Sequence, residues 1–250
     1  MTRGRLFSRK KELPPIIRLH HPSGPIDVRL RSNPRAKRLI LRLDTRTGEP
    51  IATCPANISA EKVGQFLQGH VDWLVEKCND RQPNMPFEHG AVIPVRAIPH
   101  TLEHEDEARG TVKLLEEDGG HILLVSGNES HMNRRVTDWL KKQARQDLTA
   151  SVAIHAEKLG RRPSAIRIKD TTSRWGSCSA DRVLSFSWRI IMAPPHVLDY
   201  LAAHEVAHLR EMNHSDRFWA HVADLCPAFE VGRKWLRDHG RDLHRYGVED

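Results

Sequence analysis

The sequence predicts an α+β protein, β-rich in its N-terminal part and helix-rich in its C-terminal part. Three observations predict it. Short runs of alternating or β-branched residues, punctuated by Gly, Pro, Asn and Asp, recur up to about residue 128. One helical pattern of unusual length opens at Asn133, and three further helical stretches follow it. The expected division is a flexible basic tail over 1–14, a β-rich domain with one helix over 15–128, and a second domain over 129–250.

Each element has its own reason. Ile16–His20 and Ile26–Arg31 alternate as strands do. Leu39–Leu43 and Ile51–Cys54 flank Asp44-Thr45-Arg46-Thr47-Gly48, a hairpin loop with a glycine in it. Ser59 caps a helix whose Val63, Phe66, Leu67, Val71 and Leu74 fall at helical spacing, and Asn79–Pro86 breaks it. Ala91–Ile98, Thr111–Leu115 and Ile122–Val125 read as strands, the last two joined by the turn Asp118-Gly119-Gly120. Val136, Leu140, Ala144, Leu148 and Val152 stripe a helix over Asn133–Leu159, stopped by Gly160 and Pro163. Ala165–Ile168 and Val183–Met192 are expected strands, and His196–Leu209 a helix docked through Leu198, Ala202, Val206 and Leu209. Ser215 caps a further helix to Leu225, and Pro227 starts the last, ending at His239 before Gly240.

Composition narrows the class. The 250 residues are 39% hydrophobic and 28% charged, enough apolar chain for a core and too much for a disordered one. No apolar run approaches the roughly 18 residues of a membrane span, so no membrane partner is expected. The basic stretch Met1–Lys10 has no apolar segment behind it, against a secretory signal. Cys54, Cys78, Cys178 and Cys226 form no CxxC pair, so a cytoplasmic location is expected. Residues 1–46 carry a net charge of +10, residues 47–130 one of −8 and residues 131–250 one of +5. The basic segment reads either as a solvated face or as a surface for weak, non-specific nucleic-acid binding.

The sharpest feature is His204-Glu205-Val206-Ala207-His208. Four residues advance a helix by about 400°, so both imidazoles lie on one side and converge on one metal ion. Glu205 sits about 100° round, within reach of a metal-activated water without ligating the metal. Tetrahedral zinc with one open position needs a third ligand. His214 supplies it if the helix stops after His208, and Asn213 is the residue best suited to a left-handed turn there. Glu230, from a later helix, is the alternative ligand. A chance HExxH in this composition is expected about 0.06 times, so the pattern is informative.

A second constellation is Ser173-Arg174-Trp175-Gly176-Ser177-Cys178-Ser179, followed by Leu184-Ser185-Phe186-Ser187-Trp188-Arg189-Ile190-Ile191-Met192-Ala193-Pro194, with Gly176 read as a tight turn. Through these motifs, the stretch Asp199–Trp219 and the end Arg233–Gly240, the chain resembles the YgjP-like metallopeptidase family, related to the SprT- and Wss-type minimal zincins. The resemblance is specific over about 165–240 and looser around Asn33–Asp44 and Phe66–Leu74. It implies a zincin-like catalytic domain over 129–250, one zinc per chain held by His204, His208 and His214, and Glu205 as the catalytic base. Metzincins share the third histidine but carry Gly where this chain has Glu211, and a methionine downstream where it has none after Met212.

The expected function is a zinc-dependent metallopeptidase acting on peptide or protein substrates. Its rivals are a metal-dependent nucleotide pyrophosphatase, an activity linked to the family, and a metal-stabilised module associated with nucleic acid. Around the site, Arg174 is a candidate oxyanion group, Trp175 and Trp188 candidate cleft residues, and Tyr200 and His221 candidate transition-state donors. Asp199 and Asp224 are candidates to accept the second N–H of a ligand histidine, and Cys178 is expected to pack. The edge of the Val183–Met192 strand is expected to hold an extended peptide.

Overall fold

The computed structural model describes residues 13–44, 47–80, 83–106, 111–117 and 120–248. The first twelve residues of the expected basic tail, Thr45-Arg46 and Asp118-Gly119 lie outside them. The chain forms two compact units, 1–82 and 83–250.

The first unit is a sheet covered on one face by two helices. Strands β1 (Ile16–Leu19), β2 (Ile26–Ser32), β3 (Ile40–Leu43) and β4 (Pro50–Cys54) run in the order β1-β2-β4-β3, with β2 and β4 parallel. Leu19, Val28, Ala52 and Cys54 point inward against α1 (Ala60–Gln68) and α2 (Val71–Asn79). Ser59 caps α1 by accepting from the Lys62 N–H. One continuous helix was the expectation, but it breaks at Gly69-His70. The His70 ring bonds to the Phe66 carbonyl at 2.8 Å, so the carbonyl that would continue the ladder is taken, and the His70 N–H turns to Leu67 instead. Val63, Leu67, Val71 and Leu74 stay buried through the break.

Arg29 and Arg31 share the exposed face of β2, and Arg29 and Arg42 both align with Ile51. The basic segment therefore presents these arginines on one face of the sheet, with Ile51 of β4 between Arg29 and Arg42. Its charge is partly offset within this unit, by Asp27 on Arg18 and by Glu49 on Arg29.

The second unit holds two sheets and four helices among the described residues. Strands β5 (Val92–Val95), β6 (Ile98–Glu105), β7 (Val112–Glu117) and β8 (Gly120–Ser126) run in the order β5-β6-β8-β7. Helix α3 (Met132–Leu159) follows, closed by Gly160 in the left-handed conformation at φ 68°. Strands β9 (Ala165–Lys169), β10 (Gly176–Cys178) and β11 (Val183–Ser187) form a second sheet in the order β10-β11-β9. Then come α4 (Pro195–Ala207), α5 (Asp216–Leu225), capped by Ser215, and α6 (Phe229–His239).

This unit begins well before residue 129, where the sequence divided the chain. The reason is packing. Ile93, Val95, Leu102, Leu123 and Val125 have no helix of their own segment to cover them, and they share one core with Val136 and Leu140 of α3 and with Ile190 and Ile191. Each such side chain contributes about 1.5–3 kcal/mol by leaving water.

Two expected strands are also shorter than read. The run Ala91–Ile98 folds back at Arg96 and Ala97, which take left-handed φ values of 52° and 64°. Their N–H groups bond to the carbonyls of Ile191 and Met192, and Arg96 pairs with Asp147 at 2.8 Å, so tertiary contacts hold a turn that neither residue favours. Val183–Met192 is a strand only to Ser187; Trp188–Met192 is a 3₁₀ turn buried throughout. Arg189, 3% exposed, pairs with Asp170 and donates to the Leu243 and Tyr246 carbonyls, tying down the C-terminal segment. Helix α4 is apolar almost all round rather than on one stripe. It is packed between α3, α5, α6 and β10, so it lies inside the unit.

Candidate metal and catalytic site

Helix α4 ends at Ala207 and His208 forms its cap, still right-handed at φ −63°. The next turn tightens through bonds from Leu209 to Val206 and from Arg210 to Ala207. Asn213 is not left-handed, as the sequence suggested. Its side-chain oxygen accepts the Ser215 N–H at 3.0 Å, an Asx turn that returns the chain toward α4 and leads into the α5 cap.

That return brings His204, His208 and His214 together, with one ring nitrogen of each within 4.8 Å of the others. The Nε2 atoms of His204 and His214 lie 3.3 Å apart. Two nitrogens each about 2.0–2.1 Å from a tetrahedral ion would be separated by about 3.3–3.4 Å. His208 donates from Nδ1 to the Glu211 carbonyl at 3.0 Å, which leaves Nε2 with a free lone pair toward the cluster. Burial pushes the His204 imidazole down to about 3, with the neighbouring His208, His214 and Arg233 acting the same way. Burial lowers His208 as well. Neutral imidazoles are the form a metal needs. Glu230 stands apart from this group, exposed and paired with Arg233.

Phe218, fully buried on α5, touches all three imidazoles, at ring separations of 4.9, 4.4 and 4.7 Å from His204, His208 and His214. It forms an apolar back wall that restricts the rings. The sequence reading did not single it out, although its position three residues after the Ser215 cap placed it on the inner face of α5.

Glu205 is 3% exposed, and its Oε2 is buried without a hydrogen-bond partner. Burial pushes its carboxyl up to about 8, and nearby Arg174 draws it back down. A dication held by the histidines would favour the carboxylate further. Gly176 is not a turn residue but the first residue of edge strand β10, which passes directly over Glu205. A Cβ at position 176 would lie 2.3 Å from Glu205 Oε1 and 2.7 Å from its Cγ. The glycine is needed for close approach.

His204 and Glu205 open into one cavity of about 320 Å³. Trp175 and Gly176 line it on the β10 side, Tyr200 on α4, and Arg233 and Arg237 on α6. Tyr200 is buried and its phenol is raised to about 12, chiefly by burial. Trp188, by contrast, is a core residue, and His221 does not line the cavity. Cys178 is half-buried, with its thiol raised by burial and by Glu205.

The two aspartates expected behind the ligand histidines act elsewhere. Asp199 accepts from His155 at 2.8 Å and from Ser151 at 2.7 Å, bracing α4 against α3. Asp224 is exposed, and its backbone carbonyl accepts from Lys158. The acceptor for His208 is the Glu211 carbonyl instead. The expected peptide-binding edge is also displaced, because β11 is flanked on both sides by β9 and β10.

A family model for the YgjP-like metallopeptidase domain matches residues 37–239. The chain belongs to the YgjP-like metallopeptidase family. Membership implies a divalent metal, and the three convergent imidazoles fit one. Among solved structures, the metallopeptidase zymogen of Pyrococcus abyssi abylysin is 20% identical, with 40% of this chain and 99% of that chain covered and a TM-score of 0.34. No curated protein matches the chain. No helix of the described residues is long and apolar enough to cross a membrane.

Proposed function

We propose that this protein is a zinc-dependent peptidase of the cytoplasm, with His204, His208 and His214 as the metal ligands and Glu205 as the general base. The observation that carries the reading is the unpartnered, buried Oε2 of Glu205, opening into the same cavity as one of the three convergent imidazoles. A structural metal site needs ligands and has no use for a buried, unpartnered carboxyl group beside them.

Zinc, when bound, supplies Lewis acidity that polarises the scissile carbonyl and acidifies water. Glu205 takes the proton from the attacking water at its carboxylate and hands it to the leaving amine. Gly176 lets β10 close over that carboxylate and exclude bulk water. Among the described residues β10 pairs on one side only, so its open edge receives an extended peptide by main-chain hydrogen bonding beside the cavity. Phe218 keeps the three rings converged.

The test compares wild type with Glu205→Gln on casein-like and nucleoside triphosphate substrates after metal content is measured. Glu205→Gln is expected to keep the metal and lose peptide hydrolysis by at least about 10²-fold. Undiminished peptide turnover in that variant, or triphosphate hydrolysis with no peptide cleavage by wild type, refutes the reading.

A further inference from the structure

The cavity beside Glu205 is lined by cations on the wall that faces α4. Arg233 and Arg237 stand one turn apart on α6 and both line it. Arg233 lies over the Trp219 ring at 4.4 Å, a stacked position that limits its motion. Arg174, next to the lining residue Trp175 in the chain, is close enough to Glu205 for its charge to act there. The acids of α6 balance these charges only in part, two carboxylates serving Arg233, Lys234 and Arg237. Glu230 pairs with Arg233 at 3.2 Å. Asp238 is shared between Lys234 at 2.7 Å and Arg237 at 3.1 Å. Glu205 is the only acid among the lining residues, and the reaction commits it to the proton.

The arginine wall is close because the packing forces it to be. Gly232 sits against Tyr200, and a Cβ there would lie 2.6 Å from the Tyr200 Cβ. Helix α6 therefore approaches α4 more closely than any other residue at 232 would permit. Leu201 and Leu236 add apolar lining beside the guanidinium groups, whose side chains stay 48% (Arg233) and 70% (Arg237) exposed and so can be reached by a substrate carboxylate.

We propose that this cavity is a subsite for a carboxylate carried by the peptide beside its scissile bond, either an Asp or Glu side chain or a free C-terminus. The inference rests on the peptidase reading and narrows it to a substrate class. A guanidinium matches a carboxylate through parallel N–H donors, which neither an amide nor an aliphatic group accepts as well.

The experiment uses the full chain loaded with zinc and two peptide sets. The first compares Glu with Gln at each position flanking the cleaved bond, with both peptide ends blocked. The second compares free with amidated C-termini on one neutral sequence. A preference of about tenfold or more in kcat/KM within the first set assigns the side chain, and the same within the second assigns the terminus. Arg237→Gln is expected to abolish that preference, bringing kcat/KM for the Glu or free-terminus peptides down to the value for their neutral counterparts. Arg237→Glu is expected to favour Lys over Glu at the same position, and Lys234→Gln to behave as wild type. Calorimetric binding of the Glu and Gln peptides to Glu205→Gln should show the same order without turnover. Equal cleavage across both sets overturns the inference and leaves the peptidase reading standing. So does an Arg237→Gln loss that is uniform over all peptides. Absence of any peptide cleavage by wild type overturns both.

Discussion

Gly176→Ala adds one methyl group where β10 passes over Glu205. That methyl would lie 2.3 Å from Oε1 and 2.7 Å from both Cδ and Cγ of the carboxylate side chain. Carbon atoms in contact prefer about 3.5–4.0 Å, so more than 1 Å of movement is required. Rotation of the carboxyl alone does not supply it, because Cγ is as close as Cδ, and Glu205 is 3% exposed with only the cavity open beside it. Either β10 lifts from α4 or Glu205 is driven from its position. Overpacking of this kind costs about 1–3 kcal/mol, and displacing a reacting group by about 1 Å costs about 10²-fold in rate. Position 176 has no left-handed backbone, so conformational strain adds nothing. The assay is a double-mutant cycle with Glu205→Ala, read by urea unfolding, together with zinc content and peptide turnover for Gly176→Ala itself. Zinc should stay bound, because the atoms nearest the added methyl all belong to Glu205 and not to a histidine ring, while turnover falls by about two orders of magnitude. In the Glu205→Ala background the added methyl fills vacated space, and its stability cost should shrink to under about 0.5 kcal/mol. Turnover within about twofold of wild type, or an equal unfolding cost in both backgrounds, refutes the steric argument.

Three further outcomes are expected. Purified protein should carry about one zinc per chain, and alanine at His204, His208 or His214 should each strip it; retention in His214→Ala with loss in Glu230→Ala would transfer the third ligand to Glu230. His244, 4% exposed and stacked on Trp175, is pushed from 6.5 down to about 4 by burial, with Arg189 adding to the effect and Asp170 opposing it. The unfolded chain thus binds the extra proton between those values, and stability of about 3 kcal/mol, present above pH 6.5, is lost as pH falls towards 4. His244→Gln should flatten the pH dependence of urea unfolding over that window, and an unchanged slope would assign it to other groups. On the outer face of the N-terminal sheet, DNA binding is expected to be weak, indifferent to sequence and steeply reduced between about 50 and 200 mM salt. Arg31→Gln with Arg42→Gln should reduce the salt slope by about 1–2, and undetectable binding at low salt would remove nucleic acid as a partner.

Much of this molecule is written in local pattern. The stripe from Val136 to Val152 marks α3, Gly160 ends it, and Ser59 and Ser215 cap their helices, because each signal acts within a few residues of itself. The spacing of His204 and His208 places two imidazoles on one side of a helix for the same reason. Tertiary structure decided what depends on neighbours distant in the chain. The sheet of residues 92–126 joins the C-terminal unit because α3 and residues 188–192 are what cover its inner face, and no local signal records a missing cover. Arg96 and Ala97 turn left-handed because Ile191, Met192 and Asp147 hold them so. Asp199 looks outward to a ligand histidine in sequence, yet it faces His155 and Ser151, since the rotation of α4 is set by α3 and not by α4 alone. Glycine at 176 read as freedom to turn, and its purpose emerged only with Glu205 beneath it: a missing side chain takes its meaning from whatever fills the space.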